Sequence, residues 1–156
     1  MLKRAVVFHA PRSEGAGAFA NQLAQELERR SVNCTVGDVW GPPPHEAIEA
    51  AGLVVCIGGD GTVLRASRVT VPHGRPILGI NMGRLGFLTD MSPRDCFNLI
   101  ERIVAEDWRI EERLMARCDV MEDGASLHTY EALNDIVVSR MSPGRPVYVD
   151  VHIDGA

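Results

Sequence analysis

The stretch "GLVVCIGGDGTVLRA", Gly52 to Ala66, joins an apolar run to a helical pattern through two glycines, a carboxylate and a third glycine. Leu53 to Ile57 is the kind of run that forms a buried parallel strand, and Thr62 onward reads as the first turn of a helix. Glycines at 58, 59 and 61 let the backbone take positive φ angles and bring its N–H groups close to a ligand. Thr62 is placed to cap the helix, whose N-terminus favours an anion. Gly58, Gly59, Gly61 and Thr62 therefore form a candidate phosphate loop. Asp60 suits such a loop poorly, because a carboxylate beside a phosphate is repelled. Three jobs would explain it: accepting a proton from a hydroxyl that attacks a phosphoryl group, holding that hydroxyl, or helping to carry magnesium. A tight strand-to-helix turn, where Gly and Asp are common anyway, explains the same residues without a ligand. Neither the dinucleotide GxGxxG pattern nor the P-loop pattern fits, since no Lys precedes Thr62.

Outward from this loop, strand and helix patterns alternate. Ala5–His9 reads as a strand, and Ala18–Arg30 as a helix with Phe19, Leu23, Ala24 and Leu27 at helical spacing. "SVNCTVGDV" (31–39) is a second strand, Gly41–Pro44 a loop, and Glu46–Ala51 a short helix. The helix from Thr62 runs to Val69, "RPILGIN" (75–81) is a fourth strand, and Pro93–Ala105, capped by Ser92, is a last helix. Such alternation predicts an α/β fold, a doubly wound, mostly parallel, Rossmann-like sheet over residues 1–105. Ligands in such sheets bind beyond the carboxyl ends of the strands, where Gly58–Thr62 would lie.

From Trp108 the pattern changes. "WRIEERLMARCDVM", "EALNDIVVSR" and "VYVDVHID" read as strands joined by "EDGA" and "SPGRP", with no helix between them. Residues 106–156 are expected to begin a second, all-β domain. Three strands leave an edge and much of one face uncovered, so the expectation is an incomplete domain in a fragment of a longer protein.

Composition excludes some functions. Among 156 residues, 46% are hydrophobic and 24% charged, as in ordinary globular proteins, and the formal net charge is -5. The basic residues are scattered, which argues against a nucleic-acid partner but not against a small anion met by local arginines. The four cysteines, Cys34, Cys56, Cys96 and Cys118, lack paired spacing and read as buried thiols of a reducing compartment. With no signal-like or membrane-spanning run, a cytoplasmic protein without a membrane partner is expected. His9, His73, His128 and His152 have no ligand partner at i+3 or i+4, so no residue is assigned to a metal.

"GGDGTVLRA", then "PILGINMGRLGFLTD", then "EALNDIVVSR", in that order, resemble the NAD kinase family. The first motif is shared with lipid kinases and 6-phosphofructokinases; the other two are more discriminating. The resemblance implies transfer of a phosphoryl group from ATP to the 2'-hydroxyl of the adenosine ribose of NAD, giving NADP, with magnesium (Mg2+) on the donor phosphates. It implies that Asp60 is the catalytic base, that Asp60 and Gly61 contact the substrate, that Arg65 reaches a phosphate and that Phe87 packs near adenine. Asn134 and Asp135 match the family's Asn followed by an acid, which hydrogen-bonds adenine and ribose; many members have Glu where Asp135 stands. An amide that donates and accepts and a carboxylate that accepts from hydroxyls suit such a ligand. Arg145 occupies a position where the family often places a basic side chain. Family members are usually dimers or tetramers, so a homo-oligomer is implied for the full-length protein. Their second domain continues into a further glycine-rich segment that completes the NAD site and has no counterpart in these residues. A lipid or sugar kinase with the same loop, or an inert nucleotide-binding fragment, remains the alternative.

Overall fold

The computed structural model describes residues 1–156 except 84, 85, 90, 141–145, 147, 155 and 156. The chain divides into two compact units, Met1–Glu112 and Arg113–Ala156.

The first unit is a four-stranded parallel sheet in the order β2-β1-β3-β4, from Arg4–His9 (β1), Asn33–Asp38 (β2), Leu53–Gly58 (β3) and Ile77–Asn81 (β4). Every residue of β3 is buried, which is why its run lacks the alternation of a half-exposed strand. Alternate side chains supply two cores. Ala5, Val7, Leu53, Val55 and Ile57 pack on one face with Phe19, Leu23 and Leu27 of the helix Ala16–Glu28 (α1) and with Ile100, Ile103 and Val104. Val6, Phe8, Val54 and Cys56 pack on the other with Ile48 of His45–Ala50 (α2) and with Val63 and Ala66 of Asp60–Thr70 (α3). Helices therefore cover both faces, as expected of a doubly wound sheet.

β1 and β3 are neighbours, and the chain leaves β1 for β2 on one side and β3 for β4 on the other, so the two connections run in opposite directions. The carboxyl ends of β1 and β3, His9 and Gly58, border the crevice that this switch creates, and the Ala10 N–H donates to the Ile57 carbonyl there at 2.9 Å.

The helix after the glycine turn starts earlier than expected. α3 begins at Asp60 with Gly59 in the cap position, and Thr62 lies inside the helix, buried, without a side-chain capping bond. Thr62 is thus not the cap: Asp60 and Gly61 already hold helical geometry, and the threonine turns inward against Gly58. The expected single helix over Pro93–Ala105 is two, Pro93–Asn98 (α4) and Ile100–Ala105 (α5), because Leu99 sits at φ -104, ψ 7. The break lets α4 bring Phe97 edge-on to Phe19, ring centroids 5.3 Å apart, while α5 buries its own apolar residues. Ser92 caps α4 as expected, accepting from the Asp95 N–H at 3.2 Å and donating to its carboxylate at 2.6 Å. Ser92→Ala should lower stability by about 1 kcal/mol, read as a shifted urea midpoint at unchanged slope.

The second unit holds an antiparallel hairpin, Ala116–Glu122 (β5) and Ala125–Ala132 (β6). Asp123 and Gly124 form its turn with φ 49 and 81, the paired positive angles of a type I′ turn, as "EDGA" predicts. The other expected strands differ. β5 starts at Ala116, not at Trp108, and β6 ends at Ala132, so most of "EALNDIVVSR" has no strand. The described residues of "VYVDVHID" have none either. Strand formation needs a paired neighbour, and among the described residues none pairs with Ile136, Val137 and Val138, which are exposed. Leu127 and Tyr130 of the hairpin are exposed as well, so it has no core of its own.

Candidate functional site

The turn from β3 into α3 separates the glycines into two kinds. A Cβ at Gly58 would fall on the Thr62 hydroxyl and lie 3.0 Å from Ala10 Cβ, so this glycine and Thr62 serve the packing of strand against helix. A Cβ at Gly59 or Gly61 would meet nothing within 4 Å. The fold does not require bare backbone at those two positions, which leave open space beside the N-terminus of α3. The Thr62 N–H of the first turn already donates to the Gly59 carbonyl at 2.8 Å, and the positive end of the helix favours an anion in that space.

Asp60, the first residue of α3, is half-buried and committed to a neighbouring loop. Its Oδ2 accepts from the Phe87 N–H at 2.8 Å; its Oδ1 accepts from the Leu88 N–H at 3.0 Å and the Thr89 hydroxyl at 3.1 Å. Thr89, wholly buried, accepts in turn from the Asn81 side-chain amide at 2.7 Å, and the Asn81 carbonyl oxygen accepts from the Gly83 N–H at 2.7 Å. The loop after β4 is thereby clasped to the glycine turn. Gly86 makes room for the clasp, because a Cβ there would overlap the Asp60 carboxylate, and Gly79 lets the loop approach, since its Cβ would lie 2.6 Å from the Leu88 carbonyl oxygen. Desolvation alone would raise the Asp60 carboxyl. The Phe87 and Leu88 amides and the Thr89 hydroxyl outweigh it and hold the group below the usual carboxylate range. Asp60 is therefore ionised at neutral pH, with most of its acceptor capacity engaged.

The other residues singled out in the sequence fall into three groups. Phe87 is brought beside Asp60, with its ring 94% exposed. Arg65, one turn beyond Gly61, lies over the Trp40 ring, its guanidinium carbon 4.6 Å from the centroid. Asn134 and Asp135 belong to the second unit, exposed on the segment after β6. Arg145 lies outside the described residues. Sequence reading missed Asn81, Gly86 and Thr89. Gly86 and Thr89 meet Asp60, which stands more than twenty residues earlier, and Asn81 joins them through Thr89; no local spacing signals such a set.

Residues 2–108 match the family model described as ATP-NAD kinase N-terminal domain. The chain belongs to the ATP-NAD kinase family. It is 42% identical over 112 residues to the NAD kinase of Heliobacterium modesticaldum, a match covering 72% of this chain and 40% of that protein. It is 34% identical over 156 residues to the NAD kinase of Chloroflexus aurantiacus, covering 99% of this chain and 56% of that one. The chain thus spans about half the length of such relatives. Among solved structures it resembles yeast NADH kinase, crystallised with NADH, at TM-score 0.69 and 18% identity, over 85% of this chain and 47% of that one. At that identity the likeness shows a shared fold.

No group of three His, Cys, Asp or Glu suited to a metal ion occurs among the described residues. Nor, among them, is any helix long and apolar enough to cross a membrane. All four cysteines are free, and burial pushes the thiols of Cys56 and Cys96 up to about 12, far from reactive thiolates.

Proposed function

We propose that this chain carries the phosphoryl-transfer half of an NAD kinase, moving the γ-phosphoryl group of ATP to the 2'-hydroxyl of the adenosine ribose of NAD. The hydroxyl oxygen bonds to phosphorus, the bond from phosphorus to the β–γ bridging oxygen breaks, ADP leaves with that electron pair, and the hydroxyl proton passes to Asp60. The observation that carries this reading is an ionised carboxylate at the first position of α3 with open backbone on both sides, at Gly59 and Gly61. Such chemistry asks for alignment and charge neutralisation, which a helix N-terminus and bare amides can supply. Because donors from residues 87–89 already hold Asp60, the substrate hydroxyl must take a vacant lone pair or displace one loop N–H. Substrate binding and the position of residues 86–89 are then coupled.

Magnesium is assigned to the donor, as the MgATP complex. This fits an ion that keeps most of its coordination on phosphates and water. In the first unit Phe87 offers an exposed ring on which a base can stack; in the second, taken by itself, Asn134 and Asp135 offer an amide and a carboxylate that suit a nucleoside. Free cysteines, with the thiols of Cys56 and Cys96 buried, suit a cytoplasmic setting, and a homo-oligomer is the assembly we assign to the full-length protein. Because the chain covers 40% of one relative and 56% of another, binding without turnover is the second reading for these 156 residues.

The direct test is NADP formation from NAD and MgATP. Gly61→Ala separates site from scaffold. With open space for the methyl group inside a helix, stability should stay level or rise by up to about 1 kcal/mol. NADP formation should nevertheless fall, because the methyl group occupies the space left for the substrate. A variant that keeps full turnover would remove Gly61 from the site.

A further inference from the structure

Two histidines distant in the sequence meet on the surface of the first unit. His45 opens α2 directly behind the proline run 42–44, and His73 ends the short helical turn Val71–His73, between Pro72 and Gly74. Proline fixes φ on the approach to each histidine, and Gly74, at φ 61, turns the chain away after the second. The His45 N–H donates to the Pro43 carbonyl at 3.0 Å, and the Gly74 N–H donates to the Val71 carbonyl at 2.9 Å. The Arg75 guanidinium donates to the Glu49 carbonyl, which fastens the segment before β4 to the last turn of α2. Both imidazoles therefore stand on stiff backbone, on segments tied to each other.

Their ring centroids lie 5.9 Å apart with the planes at 48°, the tilt of neither a stacked nor an edge-on pair. Among the described residues neither ring makes a hydrogen bond or an ion pair. His45 is exposed and His73 half-buried, so both are open to solvent. An ion bound at about 2.0–2.1 Å from an imidazole nitrogen sits about 3.2 Å from the ring centre, which puts two rings on a tetrahedral ion about 5.2 Å apart. A small side-chain rotation, or a wider ligand angle, covers the difference. Two acids of α2, Glu46 and Glu49, stand against the single Arg75, and Glu49 follows His45 by four residues on the same helix face. The local charge balance suits a cation.

We propose that His45 and His73 bind a divalent transition ion, Zn2+, which clamps α2 to the turn that follows α3. Imidazole suits Zn2+, Ni2+ and Cu2+, whereas Mg2+ asks for oxygen, so this site and the magnesium of the donor differ in chemistry. No third ligand of the usual kinds joins the pair among the described residues, and water completes the shell. Affinity should then be on the order of 10 µM, far weaker than that of a four-ligand site. The proposal rests on this pair and not on the kinase reading.

The test is calorimetric titration of the untagged chain with ZnCl2, NiCl2 and MgCl2. One Zn2+ or one Ni2+ should bind per chain, and Mg2+ should not compete. His45→Gln and His73→Gln should each raise the Zn2+ Kd about tenfold or more, and the double variant should be little worse than either, because one imidazole left alone is no clamp. Both positions lie outside the core, and thermal melts without metal check that the variants fold. His128→Gln, in the second unit, should leave the Kd unchanged. Zn2+ should also slow hydrogen exchange at the Ile48 and Gly74 amides, and either His→Gln variant should abolish that protection. Unchanged Kd values in both variants, or sensitivity to one histidine alone, would overturn the proposal. An intense near-ultraviolet thiolate band in the Co2+ complex would do the same, by assigning the ion to cysteine. NADP formation by the same protein bears on the kinase reading alone.

Discussion

Asp60→Asn is expected to reduce NADP formation at least about a hundredfold, the lower end of general-base contributions. The amide keeps the shape and removes the proton acceptor. It also places an NH2 group where one oxygen met an N–H or a hydroxyl donor, so one strand of the clasp is lost with the charge. Thr89→Val separates the two effects, because it deletes the hydroxyl that links Asn81 to Asp60 and leaves the carboxylate in place. If proton acceptance dominates, Thr89→Val should lose much less turnover than Asp60→Asn. If the clasp dominates, the losses should match. The pH dependence follows from the sign of the shift. Asp60 is held below its unfolded value, so its contribution to stability is complete above the ordinary carboxylate range and disappears as pH falls through the lowered value. Between about pH 5 and 8 its titration should leave both stability and turnover unchanged, and any acid limb in that interval belongs to another group. Near-normal turnover by Asp60→Asn would remove the residue from the chemistry.

What could be read from the sequence was local. The strand Leu53–Gly58 is a continuous apolar run ended by glycine, and such a run has few other fates between two helical patterns. Its neighbours Arg4–His9 and Ile77–Asn81 are legible for the same reason, and alternation then leaves the parallel sheet as the economical answer. α3 starts before the threonine that its capping preference singles out, because Asp60 and Gly61, poorer helix formers, already hold helical geometry where the loop grips Asp60. The break at Leu99 carries no glycine or proline to announce it, and it follows from what Phe97 and Ile100 must each pack against. Ile136–Val138 have strand composition, but a strand is a pairing, and composition does not name the partner. The candidate site divides in the same way. Gly58–Thr62 announces itself by spacing, whereas Thr89, Asn81 and Gly86 become functional only through a carboxylate distant in the chain.

Gly86→Ala is expected to cost turnover about a hundredfold without unfolding the sheet, by displacing the residue it touches and not by any chemistry of its own. The added methyl group overlaps the Asp60 carboxylate, and the listless alternative of moving the loop backbone is opposed by the bonds from Phe87, Leu88 and Thr89. The side chain is the softer partner: half-buried and at a helix start, it can swing toward solvent once those bonds are broken. Global stability should therefore fall by only about 1–3 kcal/mol, the usual range for a forced overpacking. The local effect should be larger, because the Phe87 and Leu88 amides lose their acceptor and exchange hydrogen faster with solvent. A double substitution decides the cause. In an Asp60→Ala background there is no carboxylate to strike, so adding Gly86→Ala should cost little further turnover and little further protection at those amides. Additive losses would mean that Gly86 acts on the loop independently of Asp60, and the coupling between the glycine turn and residues 86–89 would have to be abandoned.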